Sequence, residues 1–167
     1  MRVILLPAGS HGDVHPFVGV GVALKERGHN VTVATCGLFA DLVERCDLAF
    51  HEIGTAEEFQ ELAQHPDLWH PRKAAPLLAR EVILPGMRQQ YEAIQALTKD
   101  GRDDVVLVGS ALGFGGRLAH ERSGTPFVTL HLQPTMFWSA HKSPQLARHT
   151  LMGDWVPRWL KTFQFRL

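Results

Sequence analysis

The sequence lacks the features that would take a protein out of the ordinary globular class. Its 167 residues contain two cysteines, Cys36 and Cys46, at a spacing typical of neither a metal site nor a redox pair. We therefore expect no disulfide framework and a reducing, cytoplasmic environment. No apolar run approaches the roughly 20 residues that cross a membrane, and the apolar run near the N-terminus is too short for a signal peptide.

Neither sign of charge predominates in the chain. Lysine and arginine together number 17, and so do aspartate and glutamate. No overall field therefore attracts nucleic acid, and we expect no nucleic-acid partner. The 10 histidines are scattered. His65 and His70 have the spacing of neither a helical pair nor a zinc finger, so we expect no metal and no cofactor.

Strand-like and helix-like segments alternate along the chain. The predicted strands cover 3–6, 31–35, 48–53, 105–108 and 126–130, and the predicted helices cover 16–27, 38–46, 74–99 and 111–123. Gly28 and Gly124 suit helix stops, and Pro85-Gly86 suits a bend. The alternation predicts an α/β fold with a Rossmann-like, doubly wound parallel sheet.

The segment after the first predicted strand carries the most chemistry, and it reads Gly9-Ser10-His11-Gly12-Asp13-Val14-His15-Pro16. In a doubly wound sheet it lies at the carboxyl end of a strand, where ligands bind. Its histidines and Asp13 are candidates for proton transfer. The same residues also suit a capped helix start, with Asp13 as N-cap or first-turn acid and Pro16 opening the helix. The residues alone leave both interpretations open.

Several common sites of α/β proteins are disfavoured. The first turn has Gly9-x-x-Gly12 rather than G-x-G-x-x-G, and the second strand ends at Cys36 without an acid for a ribose. A dinucleotide site is therefore not favoured. The chain also lacks the G-x-x-x-x-G-K-[ST] phosphate loop and the G-x-S-x-G elbow of the α/β-hydrolases.

Two blocks of residues carry a resemblance to a known family. The first is the segment from Gly9 to Pro16 followed by Ala23-Leu24-x-x-Arg27-Gly28-His29-x-Val31-Thr32. The second is Ala111-Leu112-Gly113-Phe114-Gly115-Gly116-Arg117-Leu118-Ala119-x-Glu121, then Gly124-x-Pro126 and His131-Leu132-Gln133-Pro134. Together they resemble the N-terminal domain of GT-B glycosyltransferases, in particular glycosyltransferase family 28 and its sterol and glycopeptide glucosyltransferase relatives.

The resemblance implies half of a two-domain enzyme. In such enzymes the N-terminal domain binds the acceptor, and the C-terminal domain binds the nucleotide sugar. We expect residues 1–167 to be the acceptor domain of a truncated protein whose donor domain is absent. The implied reaction is an inverting, metal-independent transfer of a hexose from a UDP- or TDP-sugar to a hydroxyl of a lipid, sterol or natural product. The alternatives are a separate acceptor-domain subunit that needs a donor-binding partner chain, and an unrelated doubly wound ligand-binding module.

The resemblance also assigns roles to the first block. Asp13 stands where glycopeptide-type relatives carry a proposed aspartate base and other relatives a histidine. His11 is the second candidate for the base, and His15 ranks below both. Ser110 stands where histidine-based relatives carry an orienting aspartate, and it suits a helix N-cap before Ala111. The resemblance further places the donor phosphates against Gly9, Ser10 and Gly12.

The expected acceptor contacts follow the fourth and fifth strands, and they are Phe114, His131, Gln133, Met136 and Trp138. Phe114 and His131 also suit interior positions. Near the end of the chain, Trp155, Trp159 and Phe163 form an amphipathic helical stripe without a C-cap glycine. We expect this stripe to support a homodimer. A lipid acceptor would add a peripheral location on the inner membrane face.

Overall fold

The computed structural model describes residues 1–70, 72–101, 103–133, 141, 145–146, 149–150 and 156–163. The chain divides into two compact units, Met1–Leu130 and His131–Leu167. Within the described ranges, no helix is both long and apolar enough to cross a membrane.

The first unit is built on a five-stranded, fully parallel sheet. Its strands are β1 (Arg2–Leu6), β2 (Asn30–Thr35), β3 (Ala49–Glu52), β4 (Val105–Gly109) and β5 (Phe127–Thr129). Their order is β3-β2-β1-β4-β5, so the chain reverses its direction of winding at β1. Val3 of β1 is paired with Val31 of β2 on one side and with Val106 of β4 on the other. The predicted fold class is thereby confirmed.

Helices connect successive strands of this sheet. They are α1 (His11–Glu26), α2 (Ala40–Arg45), α3 (Ala56–Ala63), α4 (Ala74–Leu78), α5 (Leu84–Leu97) and α6 (Phe114–Ser123). Short 3-10 turns cover Gly37–Phe39 and Pro66–Trp69, and a π-helical turn covers Ala79–Ile83 between α4 and α5. Gly28 and Gly124 follow α1 and α6 with positive φ, as the helix-stop prediction requires.

The core lies between the sheet and the helices. The largest fully buried side chains are Phe17, Phe39, Leu5, Leu6, Leu107, Val14, Val33 and Val43. Leu5 and Leu6 are neighbours that point to opposite faces of β1, and both are buried. Both faces of the sheet are therefore covered at β1, which is why this central strand is apolar from Val3 to Leu6.

Two helix starts differ from the prediction. Helix α1 begins at His11 rather than at Pro16, because Ser10 is its N-cap and Pro16 lies in the second turn. A proline there removes one intrahelical hydrogen bond, the one to the Gly12 carbonyl. Helix α6 begins at Phe114 rather than at residue 111, with Gly113 as its N-cap.

The long helical stretch predicted for 74–99 is present, and its irregularity lies just before Pro85. Pro85 has no N–H to donate to the carbonyl of Glu81, four residues earlier. The π turn Ala79–Ile83 contains that carbonyl. A lost backbone hydrogen bond is a recognised cause of helix distortion, so Pro85 accounts for the π turn, and the bend itself stays a prediction.

Helices α5 and α6 approach so closely that their contact requires glycine. A Cβ on Gly115 would lie 2.4 Å from Gln90 Cβ and 2.6 Å from the Met87 carbonyl oxygen. A Cβ on Gly116 would lie 2.5 Å from the Phe127 ring. The backbone of α6 is therefore packed directly against α5 and the sheet.

The second unit contains a short antiparallel pair, β6 (Gln145–Leu146) and β7 (His149–Thr150), and helix α7 (Arg158–Phe163). Trp159 on α7 is 73% exposed. Trp155 and the side chain of Phe163 lie outside the described part of the chain. The homodimer through the aromatic stripe therefore stays a prediction.

The close contact between α5 and α6 predicts that a substitution at Gly115 lowers the stability of the protein. Gly115→Ala should lower the free energy of unfolding by about 2 kcal/mol or more, because the new methyl group meets backbone atoms that cannot move aside. The matched control is Gly19→Ala, since a Cβ on Gly19 in α1 meets nothing within 4 Å. That change should stabilise the chain by about 0.5–1 kcal/mol through helix propensity. Urea denaturation of both variants measures the difference, and equal effects would refute the tight contact.

Candidate functional site

A cavity of about 530 Å³ opens at the carboxyl ends of β1, β2 and β3. Its floor consists of the residues that leave these strands, namely Pro7–Gly9, Ala34–Cys36 and Ile53–Thr55. This edge of a parallel sheet, beside the strand where the order reverses, is where doubly wound proteins bind ligands. The volume is within the range of small-molecule sites.

Hydrogen bonds tie the three strand ends of the floor together. The buried Thr35 hydroxyl donates to the Pro7 carbonyl at 3.2 Å. The Ile53 N–H donates to the Thr35 carbonyl at 2.8 Å, and the Gly37 N–H donates to the Gly54 carbonyl at 3.0 Å. These bonds extend the sheet beyond its ladder, so the floor of the cavity is rigid.

The walls of the cavity come from the chain between β3 and β4, together with Leu112. Apolar side chains supply most of the wall, and they are Phe59, Leu62, Leu77, Val82, Ile83, Met87 and Leu112. The polar side chains of the wall are Glu58, Glu61, His65, Glu81, Gln89 and Gln90. An apolar cavity with a few directed polar groups is the usual composition of a site for an organic ligand.

The first wall helix, α3, is held by a reciprocal cap. The Glu58 N–H donates to Thr55 Oγ1 at 3.1 Å, and the Thr55 N–H donates to Glu58 Oε2 at 2.9 Å. Such a capping box fixes the direction in which a helix leaves the preceding strand. The Glu58 carboxylate is thereby held at the edge of the floor.

Asp13 is held in a comparable way at the start of α1. Its Oδ2 accepts a hydrogen bond from the Ser10 N–H at 2.8 Å and another from the Ser10 hydroxyl at 3.3 Å. Among the described residues, no group donates to its other carboxylate oxygen. The capped-start interpretation therefore describes the local structure, and the second oxygen is open to a further partner.

Gly9 makes room for this carboxylate. It has a φ of +131°, which L side chains rarely adopt. A Cβ at this position would lie 2.2 Å from Asp13 Oδ2. Gly12, in contrast, lies in the first turn of α1 with only Ser10 Oγ near its absent Cβ, at 3.7 Å.

His11 belongs to an aromatic cluster at the start of α1. Its ring lies edge-on to Phe39 at 5.0 Å between centroids, and His15 lies 5.6 Å from it. Phe39 in turn contacts Phe59 of the cavity wall at 6.2 Å. Across the described ranges, no carboxylate pairs with His11. A histidine–aspartate dyad is therefore not formed in this structure.

Ser110 is not a helix N-cap, contrary to the sequence prediction. Its Oγ accepts a hydrogen bond from the Leu112 N–H at 3.3 Å, within the turn that precedes α6. The N-cap is Gly113, because three more residues of turn separate β4 from the helix. Ser110 thus stabilises the β4–α6 connection and is buried there.

Cys36 lies at the end of β2 on the cavity floor. Its thiol donates to the Thr55 carbonyl at 3.2 Å. Burial raises the pKa of this thiol, and the neighbouring Glu52, Glu58 and Glu57 carboxylates raise it further. The thiolate is therefore disfavoured at neutral pH, and Cys36 is not a poised nucleophile.

The residues predicted to contact the acceptor lie in different parts of the chain. Phe114, the first residue of α6, is 37% exposed and does not line the cavity. His131 and Gln133 belong to the second unit and are exposed. Met136 and Trp138 lie outside the described residues. Of the predicted site residues that the structure describes, Gly9 is the one that lines the cavity. Among the same described residues, no group of three or more His, Cys, Asp or Glu could hold a metal ion.

Sequence reasoning missed the wall between β3 and β4. The sequence predicts 54–71 as irregular with helical pieces and 74–99 as a long helix with a bend at Pro85-Gly86, but it places neither segment at a ligand site. The pattern Thr55-x-x-Glu58 is a capping-box signal and would have located the start of α3. No comparable signal marks Gln90, whose place on the cavity depends on how α5 packs.

Comparison with known proteins places the chain in a family. Residues 3–141 match the glycosyltransferase family 28 N-terminal domain. An O-mycaminosyltylonolide 6-deoxyallosyltransferase from Streptomyces fradiae is 44% identical over 145 residues, which are 83% of this chain and 33% of that enzyme. A sterol 3-beta-glucosyltransferase from Candida albicans is 45% identical over 52 residues, which are 31% of this chain and 3% of that enzyme.

Solved structures show the same fold. The calicheamicin glycosyltransferase CalG4 matches 99% of this chain and 35% of its own, with a TM-score of 0.59 at 20% identity. SsfS6 from Streptomyces sp. SF2575, complexed with thymidine diphosphate, matches 78% of this chain and 38% of its own, with a TM-score of 0.59 at 22% identity. The chain spans 40% or less of the length of the curated relatives.

The geometry around Gly9 generates a prediction. Gly9→Ala should lower the free energy of unfolding by about 1–3 kcal/mol, because alanine is strained at this φ and its methyl group displaces the Asp13 carboxylate. Gly12→Ala is the control, and it should change stability by no more than about 0.5 kcal/mol. Thermal and urea unfolding of both variants test this, and a harmless Gly9→Ala would contradict the described turn.

Proposed function

We propose, on the premise that this chain belongs to glycosyltransferase family 28, that it is the acceptor-binding half of a metal-independent, inverting glycosyltransferase. The complete enzyme would move a hexose from a UDP- or TDP-sugar to a hydroxyl of a lipid, sterol or natural product. The donor-binding half would be a second domain that these residues do not include. Residues 1–167 then form the acceptor domain.

The observation that carries this proposal is the position of the cavity. It opens at the carboxyl ends of β1–β3, directly beside Gly9 and the start of α1, and its walls are mainly apolar. A bound organic acceptor would thus have its hydroxyl group near the segment that holds Asp13. The cavity is the proposed position of the acceptor, and the predicted acceptor contacts stay part of the proposal, namely Phe114, His131, Gln133, Met136 and Trp138.

The activities of the relatives support the substrate classes. One relative is a sterol glucosyltransferase, and another acts on O-mycaminosyltylonolide. A structural neighbour is complexed with thymidine diphosphate, and a curated relative is described as UDP-sugar-dependent. The proposal therefore includes both UDP- and TDP-sugars as donors. The proposed acceptor is a mainly apolar molecule with a hydroxyl group.

Asp13 is the proposed base. Its free carboxylate oxygen would take the proton of the acceptor hydroxyl while the hydroxyl oxygen bonds to the anomeric carbon. The bond from that carbon to the nucleoside diphosphate breaks, and the diphosphate leaves with the electron pair. Gly9, Ser10 and Gly12 would lie against the donor phosphates, because the start of α1 presents backbone N–H groups and a partial positive charge.

The alternative is a separate acceptor-domain subunit that works with a donor-binding partner chain. The same cavity serves that arrangement equally well. The family match contradicts the other alternative, an unrelated doubly wound module. A cytoplasmic location suits the two unpaired cysteines, and peripheral contact with the inner membrane face would follow if the acceptor is a lipid.

Asp13→Asn tests the base in an enzyme that carries both domains. The amide oxygen can still accept from the Ser10 N–H, so the helix start is kept while basicity is lost. We expect kcat to fall by about a hundredfold or more, with little change in acceptor affinity. Steady-state kinetics with direct titration of the acceptor separates the two effects.

His11→Ala is the comparison variant for this test. A loss of only a few fold in Asp13→Asn together with a severe loss in His11→Ala would move the base to His11. Full activity in both variants would show that the segment is structural. Ser10→Ala, which keeps the backbone donor to Asp13, controls for damage to the cap.

Titration with nucleotide sugars tests whether the donor site lies outside residues 1–167. The 167-residue chain should bind UDP- and TDP-sugars no more tightly than millimolar and should not transfer sugar, because the proposed donor site lies in the other half. Isothermal titration calorimetry measures the affinity, and the fused two-domain enzyme is the positive control. Micromolar binding by the chain alone would refute the assignment.

A further inference from the structure

Gln90 is a nearly buried polar residue on the cavity wall. Its side chain is 4% exposed and belongs to α5. Its Oε1 accepts a hydrogen bond from the Gly115 N–H at the start of α6, at 3.1 Å. Since only the oxygen of an amide can accept this bond, the bond settles which end of the amide faces α6.

The amide nitrogen of Gln90 has no partner among the residues that the structure describes. Throughout the described part of the chain, no group accepts a hydrogen bond from Gln90 Nε2. In the same part of the chain, no fully buried side-chain nitrogen or oxygen lacks a partner. Nε2 therefore reaches accessible space, and the space that Gln90 lines is the cavity.

The position of this donor is fixed by packing. A Cβ on Gly115 would lie 2.4 Å from Gln90 Cβ and 2.8 Å from the Tyr91 backbone nitrogen. The two helix backbones thus hold Gln90 from both ends, at its Cβ and at its Oε1. A donor that is already oriented loses little freedom when it binds a ligand.

The charged groups of the cavity wall are of one sign. They are the carboxylates of Glu58, Glu61 and Glu81, and no lysine or arginine lines this cavity among the described residues. Glu58 accepts from the Thr55 N–H, and Glu81 lies 3.4 Å from Arg80 Nε. His65 also lines the wall, and its Nδ1 accepts from the Asp67 N–H at 3.1 Å. The carboxylates repel an anionic ligand.

We propose that Gln90 is a specificity-determining residue of the cavity, and that it donates a hydrogen bond to an oxygen of a neutral or amine-bearing apolar acceptor. The oxygen is a carbonyl, ether or hydroxyl oxygen away from the reacting hydroxyl. Carboxylate- and phosphate-bearing molecules are selected against. The inference rests on the proposed function, because it specifies which acceptors the cavity takes.

Three naphthalene derivatives of similar shape distinguish the effect of the Gln90 hydrogen bond from the repulsion of anions. Acetylnaphthalene carries a carbonyl oxygen, isopropenylnaphthalene replaces that oxygen with a methylene group, and naphthoate is the anion. They are titrated into the ¹⁵N-labelled chain of 167 residues, and the side-chain N–H₂ signals of Gln90 are followed by NMR. Acetylnaphthalene should shift these signals, isopropenylnaphthalene should leave them unchanged, and naphthoate should bind more weakly than acetylnaphthalene.

Substitution of Gln90 provides the second arm. Gln90→Met should weaken the binding of acetylnaphthalene by about twofold to tenfold, because a single neutral hydrogen bond to the ligand is lost. The affinity for isopropenylnaphthalene should change by less than about twofold. Gln95→Met, at an exposed position of the same helix, is the matched control and should change neither affinity. Should Gln90→Met not fold, the NMR response of the Gln90 side chain to acetylnaphthalene and isopropenylnaphthalene in the unsubstituted chain still decides the proposal.

The outcomes distinguish this inference from the proposed function. Shifts of the Cys36 and Thr55 amides without a response of Gln90 would overturn the role of Gln90 and leave the cavity as the binding site. Naphthoate binding as tightly as acetylnaphthalene would overturn the selection against anions. If none of the probes moves the cavity amides, the assignment of the cavity to the acceptor fails, and the inference fails with it.

Discussion

The site depends on the hydrogen bond between the Thr35 hydroxyl and the Pro7 carbonyl. Both residues are buried, and each stands just where its strand leaves the sheet. Without this bond the Pro7 carbonyl would be a buried acceptor lacking its partner, which is costly. With it, β1 and β2 stay together beyond their ladder, so Gly9 and Cys36 are fixed on one floor. The start of α1 and the capping box of α3 are then built on a rigid base.

The sheet and the family could be predicted because both follow from local or contiguous patterns. Val3–Leu6, Val31–Thr35 and Val105–Val108 are apolar runs that only a sheet covered on both faces accommodates. Helix boundaries were less predictable. Pro16 looks like a first-turn residue, yet Ser10 supplies the N-cap six residues earlier. Ser110 has the chemistry of an N-cap, yet the turn to α6 is three residues longer than expected.

The candidate site was predictable only where it touches the first strand. Gly9 and Asp13 are neighbours in sequence, and their contact follows from a local turn. The cavity wall depends on contacts between distant segments, such as the one between Gln90 and Gly115, and single-sequence patterns do not record such pairs. The predicted acceptor residues followed the ends of β4 and β5, whereas the cavity lies over β1, β2 and β3.

Most of the cavity wall is a single stretch of chain, from Gly54 to Gln90, inserted between two strands of the sheet. Near one end it is joined to β2 and the turn that follows by the Gly37–Gly54 and Cys36–Thr55 hydrogen bonds, and near the other end it packs against Gly115. Such an arrangement is modular. With the acceptor in this cavity, as proposed, exchange of the whole stretch between relatives would change which acceptors are bound. The sheet and the segment around Asp13 would stay the same. Two recombination boundaries, one just after β3 and one after Gln90, would keep this stretch whole.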